Sequence, residues 1–347
     1  MSLKRSTGRG GALCAALASL LLLTACSSGE PDTSSGDTAD VGATGEPAEE
    51  KGSLTLAFSN AVPQVVKVPT ILAAEQLEAE GYDVELVWLQ SSEDPVQAVV
   101  RGDADLGSAN VSTVFGAAAQ GAPIKAVMTQ NAPSYAMVAP ADIDGPEGLD
   151  GLRLGTHAQV SSTSLYANLL LEDYPGVEPN VMVVPGSANR IQALIAGELD
   201  ASVIQLSDLE VLEAEAPGRF QVLYNYAEDM SEVMDSALFA SDSVLAERPE
   251  LVDDMIRALL DAQATVVDEP QVLIDAIVEH VPEVTEEQAQ EFADVYLASN
   301  VWPADGNFDD GTISRTVAAI SRYGGLEAEP TVESCCDAGP LRAVLGQ

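Results

Sequence analysis

The chain has 347 residues, of which 55 are Asp or Glu and only 15 are Lys or Arg, so its formal net charge is −40. This acidity excludes nucleic acid and anionic membrane surfaces as electrostatic partners, because both require a positively charged protein surface. The chain holds only two histidines, His157 and His280, and they lie far apart in sequence. A multi-histidine metal site within one chain is therefore excluded as well.

The N-terminal residues are typical of a bacterial lipoprotein signal. Basic residues precede an apolar run that is too short to span a bilayer, and the run ends at Leu23-Thr24-Ala25-Cys26. A cysteine is needed there because its sulfur receives a diacylglycerol before cleavage makes it the new N-terminus. We predict a signal peptide over residues 1–25 and a lipid on Cys26, and an ordinary secretory signal with a coincidental cysteine is the alternative.

Residues 26–52 are rich in Ser, Gly, Thr, Asp, Glu and Pro and contain no aromatic side chain. Such a stretch cannot bury enough apolar surface to offset its ordering entropy, so it is predicted to be a flexible tether. No later stretch is apolar enough to span a membrane. The predicted location is therefore extracytoplasmic, at the bacterial cell membrane through the lipid. Removal of the signal peptide deletes three basic and no acidic groups, which takes the formal charge from −40 to −43.

Beyond the tether, short apolar runs alternate with helical periodicity, which predicts parallel strands joined by crossover helices. From Asp242 to Tyr323 the periodicity is almost wholly helical. The predicted strands are Leu54–Phe58, Val84–Leu89, Ala104–Ser108, Ile124–Met128, Tyr135–Val138, Leu152–Gly155, Val181–Val184, Ala201–Ile204, Phe220–Tyr224 and Ala237–Ala240.

An internal repeat lies within this pattern. Gln97-Ala-Val-Val-Arg-Gly-Asp-Ala-Asp105 is similar to Gln192-Ala-Leu-Ile-Ala-Gly-Glu-Leu-Asp200, which begins 95 residues later. Each segment predicts a helix that ends at a glycine in the left-handed conformation, followed by a turn whose aspartate can accept hydrogen bonds from backbone amides. Two such turns at matching places in successive strand–helix sets indicate two similar lobes.

Several segments resemble the substrate-binding proteins of ABC importers, in the branch for nitrate, sulfonates, taurine and thiamine precursors. They are Leu54–Ser59, Ala98–Gly107, Gly121–Met128 and Gly148–Gly155, and the resemblance covers roughly residues 54–323. It implies an α/β fold of the type II periplasmic-binding-protein class, with two lobes, a central cleft that closes around a ligand, and a helical C-terminal section.

The same resemblance implies where the lobes begin and end. The first lobe would comprise residues 53–134 and 236–325, and the second would comprise residues 135–235. The chain would cross between them near Asn131–Ala136 and Asp235–Phe239, and residues 326–347 would form a C-terminal tail.

Ligands of open α/β sheets bind beyond the carboxyl ends of the strands, where loops and helix N-termini converge. Uncharged hydrogen-bonding groups follow the predicted strands there, which suits a small solute, although such residues also cap helices. The predicted ligand contacts are Ser59, Asn60, Ser91, Asn110, Ser112, Gln130, His157, Gln159, Ser161, Ser162, Thr163 and Gln205.

These predicted loops carry no lysine or arginine. Arg190 is the nearest basic residue, placed either for a ligand or for a surface carboxylate. Because the whole chain is strongly acidic, a neutral or cationic ligand is favoured over a simple anion, which would depend on amide dipoles alone. Four aromatic residues are candidates either to stack on a flat ligand or to fill the core: Phe58, Trp88, Tyr135 and Tyr166.

Cys335 and Cys336 are adjacent in the predicted tail. Neighbouring Cα atoms lie about 3.8 Å apart, below the usual disulfide range, so a bond between them would be strained. Outside the cytoplasm the two thiols would still tend to oxidise, with each other or between chains, and a strained vicinal disulfide of structural role is favoured. The segment Asp305–Gly311 resembles the opening of a calcium loop but lacks its glycine and bidentate glutamate, so a capped helix start is favoured there.

No nucleophile lies beside His157 in sequence, and no phosphate-binding loop is present. We therefore expect no enzyme, metal or cofactor, but a lipid-anchored protein that captures a small organic molecule and delivers it to an ABC transporter permease. Two alternatives stay open. One is an enzyme on the same fold, related to thiamine-pyrimidine synthesis, and the other is a ligand-sensing lobe for a signalling receptor.

Overall fold

The computed structural model describes residues 50–347, which fold into two α/β lobes around two five-stranded sheets. The predicted signal peptide, Cys26 and nearly all of the predicted tether lie outside the described residues. Within the described part, no helix combines the length and apolarity that crossing a membrane requires.

Every strand predicted from the sequence is present, with ends that shift by three residues at most. The strands are β1 (Gly52–Phe58), β2 (Tyr82–Trp88), β3 (Leu106–Asn110), β4 (Ile124–Asn131), β5 (Tyr135–Pro140), β6 (Arg153–Thr156), β7 (Asn180–Val183), β8 (Ala201–Gln205), β9 (Phe220–Asn225) and β10 (Ser236–Ser241). Strand β1 thus begins at the last residue of the predicted tether.

Helices follow most strands, and the segment after β10 is helical, as predicted. The helices are α1 (Val68–Ala79), α2 (Glu93–Arg101), α3 (Val111–Ala119), α4 (Ser162–Glu172), α5 (Ser187–Ile195), α6 (Leu209–Glu215), α7 (Tyr226–Asp229), α8 (Asp242–Glu247), α9 (Pro249–Asp268), α10 (Pro270–His280), α11 (Glu286–Ala298), α12 (Asp310–Tyr323), α13 (Val332–Cys335) and α14 (Gly339–Val344).

The strand order is β2-β1-β3-β10-β4 in the first sheet and β7-β6-β8-β5-β9 in the second. The prediction of parallel pairing holds for β1 with β2 and β3, and for β6 with β7 and β8. Strands β5 and β10 instead pair antiparallel with their neighbours. The chain enters the second sheet at β5 and returns to the first sheet at β10. In both cases it comes directly from the other sheet, so it does not make the crossover connection that parallel pairing needs.

The chain passes between the sheets twice at the same edge. It leaves β4 at Asn131 and begins β5 at Tyr135, and it returns after β9 ends at Asn225. The second crossing therefore lies between Asn225 and Ser236, so it includes only Asp235 of the predicted range Asp235–Phe239. Both crossings join strand ends that border the cleft between the lobes.

The repeated turn predicted from the sequence is confirmed in both lobes. Gly102 and Gly197 adopt φ angles of +76° and +71°, the left-handed conformation expected at these helix ends. Asp105 accepts a hydrogen bond from the Thr55 amide at 2.8 Å, and Asp200 accepts one from the Arg153 amide at 2.9 Å. Each aspartate thereby fixes its turn to a strand of its own sheet, β1 in one lobe and β6 in the other.

The C-terminal segment after residue 325, which the sequence analysis treats as a tail, packs against the first sheet. Helices α13 and α14 pack on β4, where the Asp337 amide donates to the Ala126 carbonyl at 2.8 Å. Cys335 and Leu341 are buried. The segment covers β4, which is an edge strand of the first sheet and would otherwise expose unpaired backbone groups.

Candidate ligand-binding cleft

The carboxyl ends of the central strands of both sheets border a cleft between the lobes. It contains two adjoining cavities of about 930 Å³ and 740 Å³, here called the first and the second cavity. Asn110, Tyr135, Ser162 and Gln205 line both cavities, so the two form one continuous cleft. Volumes of this size are usual for sites that bind small molecules.

Most of the predicted contact residues lie at this cleft. Three do not line it: Ser91, which bonds the Asp94 amide at the start of α2, Gln130, which is buried, and Gln159. The nine that line one or both cavities are Ser59, Asn60, Asn110, Ser112, His157, Ser161, Ser162, Thr163 and Gln205.

Two helix N-termini meet across the cleft, one from each lobe. Asn110 caps α3 by accepting the Ser112 amide at 2.9 Å, and Ser161 caps α4 by accepting the Ser164 amide at 3.3 Å. The Asn110 side chain also donates to the Ser162 hydroxyl at 3.0 Å. The capping residue of α3 therefore contacts the first residue of α4 across the cleft.

His157 is held by backbone contacts at the rim of the first cavity. Its Nδ1 accepts the Gly186 amide at 3.1 Å, so the neutral imidazole carries its proton on Nε2. Its own amide donates to the Thr163 hydroxyl at 2.8 Å. The residue therefore brings an Nε2–H donor to the lining of the first cavity.

Arg190 also lines the first cavity, but it does not hold a surface carboxylate as one prediction allowed. Its side chain is buried and donates to the Val203 carbonyl at 3.2 Å, the Val184 carbonyl at 3.3 Å and the Ser187 hydroxyl at 3.4 Å. Burial lowers its pKa, opposed by the negative charge of Asp208. Three of its five N–H groups thus serve the second lobe itself.

Lys67 is a buried cation of the second cavity that the sequence analysis missed. It lies at the end of the β1–α1 connection and is only 4% exposed. Its ammonium donates to Ser236 Oγ at 2.7 Å, Gln130 Oε1 at 3.3 Å and Asn131 Oδ1 at 3.4 Å. All three of its protons are thereby bonded to the protein. Burial lowers the pKa of Lys67 to about 8, against the raising effect of Asp235.

Asp235 lines the same cavity at the second crossing between the lobes. It accepts the Tyr166 hydroxyl at 2.6 Å, the Asn131 amide group at 3.1 Å and the Asn110 amide group at 3.4 Å. Burial raises its pKa, and the Tyr166 bond, the Lys67 charge and the Asn131 bond oppose that shift. Because Tyr166 belongs to α4, this carboxylate also links the two lobes.

Both groups carried a signal in the sequence. The connection between β1 and α1 begins at Ser59, directly after the end of a strand, and its last residue is Lys67. The prediction that the cleft loops lack lysine was therefore wrong. Asp235 lies within the predicted second crossing. Sequence alone did not show that these two positions, 168 residues apart, lie within electrostatic range of each other.

The aromatic candidates divide between core and cleft. Phe58 and Trp88 stack on each other with ring centroids 4.2 Å apart, and Tyr166 is fully buried. Of the four candidates, Tyr135 alone lines the described cavities, and it lines both. The second cavity also contains Phe292 and Tyr296 from α11, which the sequence analysis did not name.

The remaining candidates lie away from the cleft. Cys335 and Cys336 are buried free thiols with their Sγ atoms 3.2 Å apart, and neither lines the first or the second cavity. Asp309 caps α12 by accepting the Gly311 and Thr312 amides at 2.6 and 3.1 Å. Among residues 50–347 no cluster of three or more His, Cys, Asp or Glu side chains is arranged to hold a metal ion.

Comparison with known proteins agrees with this architecture. The model of the family described as NMT1/THI5 like matches residues 69–272, which is more than half of the chain. The chain belongs to the NMT1/THI5-like family. No curated protein matches the sequence of this chain.

Solved structures of low sequence identity share its fold. The ligand-binding component of an ABC-type import system from Staphylococcus aureus, with zinc bound, has a TM-score of 0.65 at 11% identity, over 85% of this chain and 99% of that one. The alkanesulfonate-binding protein SsuA from Xanthomonas axonopodis pv. citri, bound to MOPS, has a TM-score of 0.58 at 19% identity, over 82% and 96%. The periplasmic aliphatic sulphonate-binding protein SsuA from Escherichia coli has a TM-score of 0.63 at 15% identity, over 82% and 92%. The periplasmic-binding-protein-like fold predicted from the sequence is thus confirmed.

Proposed function

We propose that this protein is a lipid-anchored, extracytoplasmic solute-binding protein that captures a small organic molecule and delivers it to an ABC transporter permease. The observation that carries the proposal is the cleft, because uncharged polar side chains from both lobes line one continuous space of small-molecule size. The neighbours that bind sulfonates or belong to import systems support it, as does the predicted lipoprotein signal.

The two sheets support the lobe boundaries implied by the family resemblance. We propose that residues 53–134 and 236–325 move as one lobe and residues 135–235 as the other. Strands β1–β4 and β10 lie in the first sheet, and β5–β9 lie in the second. The lobes would then close by rotation about the two connections between the sheets, residues 132–134 and 226–235, at the edge of the cleft.

The proposed ligand is neutral or cationic rather than a simple anion. The charged residues of the two cavities are four acids, Glu93, Asp208, Asp235 and Glu283, and two bases, Lys67 and Arg190. All three ammonium protons of Lys67 and three of the five N–H groups of Arg190 are bonded to the protein, so Lys67 has no donor left for an anionic group and Arg190 has two. The remaining negative potential favours entry of a cation over an anion.

Transport or sensing is favoured over catalysis at this cleft. An enzyme that combined His157 with clustered cysteines would need those side chains together. His157 lines the first cavity, whereas Cys335 and Cys336 pack behind β4, where they line neither cavity. We therefore propose no enzymatic activity for the protein.

Lipid attachment is tested by replacing Cys26 with alanine. The wild-type protein is expected in the membrane fraction of a bacterial host, because the acyl chains partition into the bilayer. The Cys26→Ala variant should accumulate as uncleaved precursor or appear in the soluble fraction. A processed variant that still sediments with membranes would contradict the proposal, and Cys14→Ala serves as the matched control that should leave fractionation unchanged.

Lobe closure is tested by a thermal-shift screen followed by small-angle X-ray scattering. A solute that binds only the folded state should raise its stability by about 2.7 kcal/mol at a free concentration 100 times its Kd. The screen covers nitrate, alkanesulfonates, pyrimidines and amines. The stabilising compound should also reduce the radius of gyration as the lobes close. Stabilisation without compaction would contradict the closing clamp, and no stabilisation by any small solute would contradict solute binding.

A further inference from the structure

The second cavity combines aromatic rings with negative charge. Tyr135, Phe292 and Tyr296 line it together with the carboxylates of Asp208, Asp235 and Glu283. Asp235 and Tyr296 are buried, at 8% and 3% exposure, and Tyr135 is partly exposed. The negative faces of aromatic rings attract cations at short range, and this attraction is stronger where water is excluded. The lining therefore favours an organic cation over a neutral or anionic group.

The hydrogen bonds that Asp235 already accepts limit the kind of cation that can bind beside it. Its two oxygens offer about four acceptor positions, and Tyr166, Asn131 and Asn110 occupy three of them. A primary ammonium brings three N–H donors that each need an acceptor in a water-poor site. Asp235 supplies a negative charge but has little capacity left for such donors, so a cation without N–H groups fits it best.

The rings lie within the field of this carboxylate. Burial raises the pKa of Tyr135 and of Tyr296, and the charge of Asp235 raises both further. Lys67 does not occupy the place of a ligand cation, because its ammonium is bonded to Ser236, Gln130 and Asn131 rather than to the carboxylate. Asp235 therefore remains available to a second positive charge.

We propose that the second cavity binds an alkylated ammonium group, with Asp235 supplying the opposite charge and the rings of Tyr135 and Tyr296 supplying the faces that contact it. This assignment rests on the proposed function and names the ligand class of the same cleft. The alkyl groups of such a cation contact the rings directly, and no buried N–H group is left without an acceptor.

The test compares choline with its uncharged isostere 3,3-dimethylbutan-1-ol by calorimetry. The two molecules have the same shape, so a difference in affinity reports the charge. Choline is expected to bind at least about tenfold more tightly, in the range that cation–π contacts at desolvated sites contribute. Equal affinity of the two molecules would overturn the assignment.

Three variants locate the group that recognises the charge. Asp235→Asn keeps the shape of the side chain and should reduce the preference for choline over the isostere, while the aromatic rings retain part of it. Tyr296→Phe keeps the aromatic face and should retain choline binding, whereas Tyr296→Leu should lose most of it. Glu85→Gln, at an exposed position of β2 that lines neither cavity, is the control and should change the affinity by less than about twofold. Urea unfolding of each variant verifies that it folds.

The outcomes separate this inference from the proposed function. If an alkanesulfonate or nitrate stabilises and compacts the protein while choline does not bind, the ammonium site is wrong and solute binding stands. If choline binds equally well to wild type and Asp235→Asn, the assigned residue is wrong. If no small solute binds, the proposed function fails together with this assignment.

Discussion

Replacing Gly107 with alanine should destabilise the protein by about 3 kcal/mol, near the upper end of the usual cost of overpacking a core. Gly107 lies in β3 directly opposite Phe239 of β10. A Cβ at this position would lie 2.1 Å from Phe239 Cζ and 2.5 Å from Cε1, well inside van der Waals contact. Since Phe239 is fully buried, its ring cannot turn into solvent to relieve the clash. Urea unfolding of the wild type and the variant measures the loss.

A second substitution tests the cause of that loss. Phe239→Leu removes the atoms that clash, at the cost of a cavity of its own. If overpacking is the cause, the double variant Gly107→Ala/Phe239→Leu should be more stable than the sum of the two single effects predicts. Strictly additive effects, or a single Gly107→Ala variant within about 0.5 kcal/mol of wild type, would show that the sheet accommodates the methyl group.

The parts of the fold that depend on local sequence were predictable. The strands follow from short apolar runs, and the two Gly-x-x-Asp turns follow from the conformations that glycine and aspartate favour. In both lobes the turn aspartate bonds a strand amide, at Thr55 and at Arg153. The candidate loops could also be placed, because the end of a strand marks the binding edge of an α/β sheet whichever solute binds there.

The groups that decide the character of the cleft could not be placed from local sequence. Lys67, Asn131 and Asp235 meet only when the first helix and both crossings are assembled. The pairing direction of β10 likewise depends on its return from the other sheet. Nor does any local pattern show that α13 and α14 cover β4, since their few apolar residues resemble those of a free tail.

Asn131 connects Asp235, the proposed partner of the ligand's charge, to the buried ammonium of Lys67. Ligand binding and the stability of the lobes therefore depend on the same hydrogen-bonded residues. Asn131 donates to Asp235 and accepts from Lys67, while Tyr166 brings the second lobe to the same carboxylate. The two buried charges are not in direct contact, but removing either one takes away the charge that compensates the other, which is costly in a buried site. If Lys67 and Asp235 are as shielded from water as their contacts indicate, the free energy of unfolding should depend on pH.

The difference in unfolding free energy between wild type and Lys67→Met should change in favour of wild type as the pH rises. The pKa of Lys67 is lowered to about 8 in the folded protein, against 10.5 for an ordinary lysine. Between these values the unfolded chain retains a proton that the folded chain has lost, so wild-type stability rises with pH. Below about pH 8 both states are protonated and the folded state bears the full cost of the buried charge. We expect wild type to gain roughly 3 kcal/mol relative to Lys67→Met between pH 7 and pH 10.5, at 1.36 kcal/mol per pKa unit.

Lys51 provides a control of opposite sign. Its hydrogen bond to Glu80 raises the pKa of this exposed lysine, so any stabilisation is fully present below pH 10.5 and is lost as the pH rises through the folded value. Wild type should thus lose stability relative to Lys51→Met at high pH, while it gains relative to Lys67→Met. Urea unfolding at pH 7, 8, 9, 10.5 and 11.5 covers both pH ranges and distinguishes the two trends. Parallel curves for wild type and Lys67→Met would mean that water reaches the Lys67 ammonium in the folded protein.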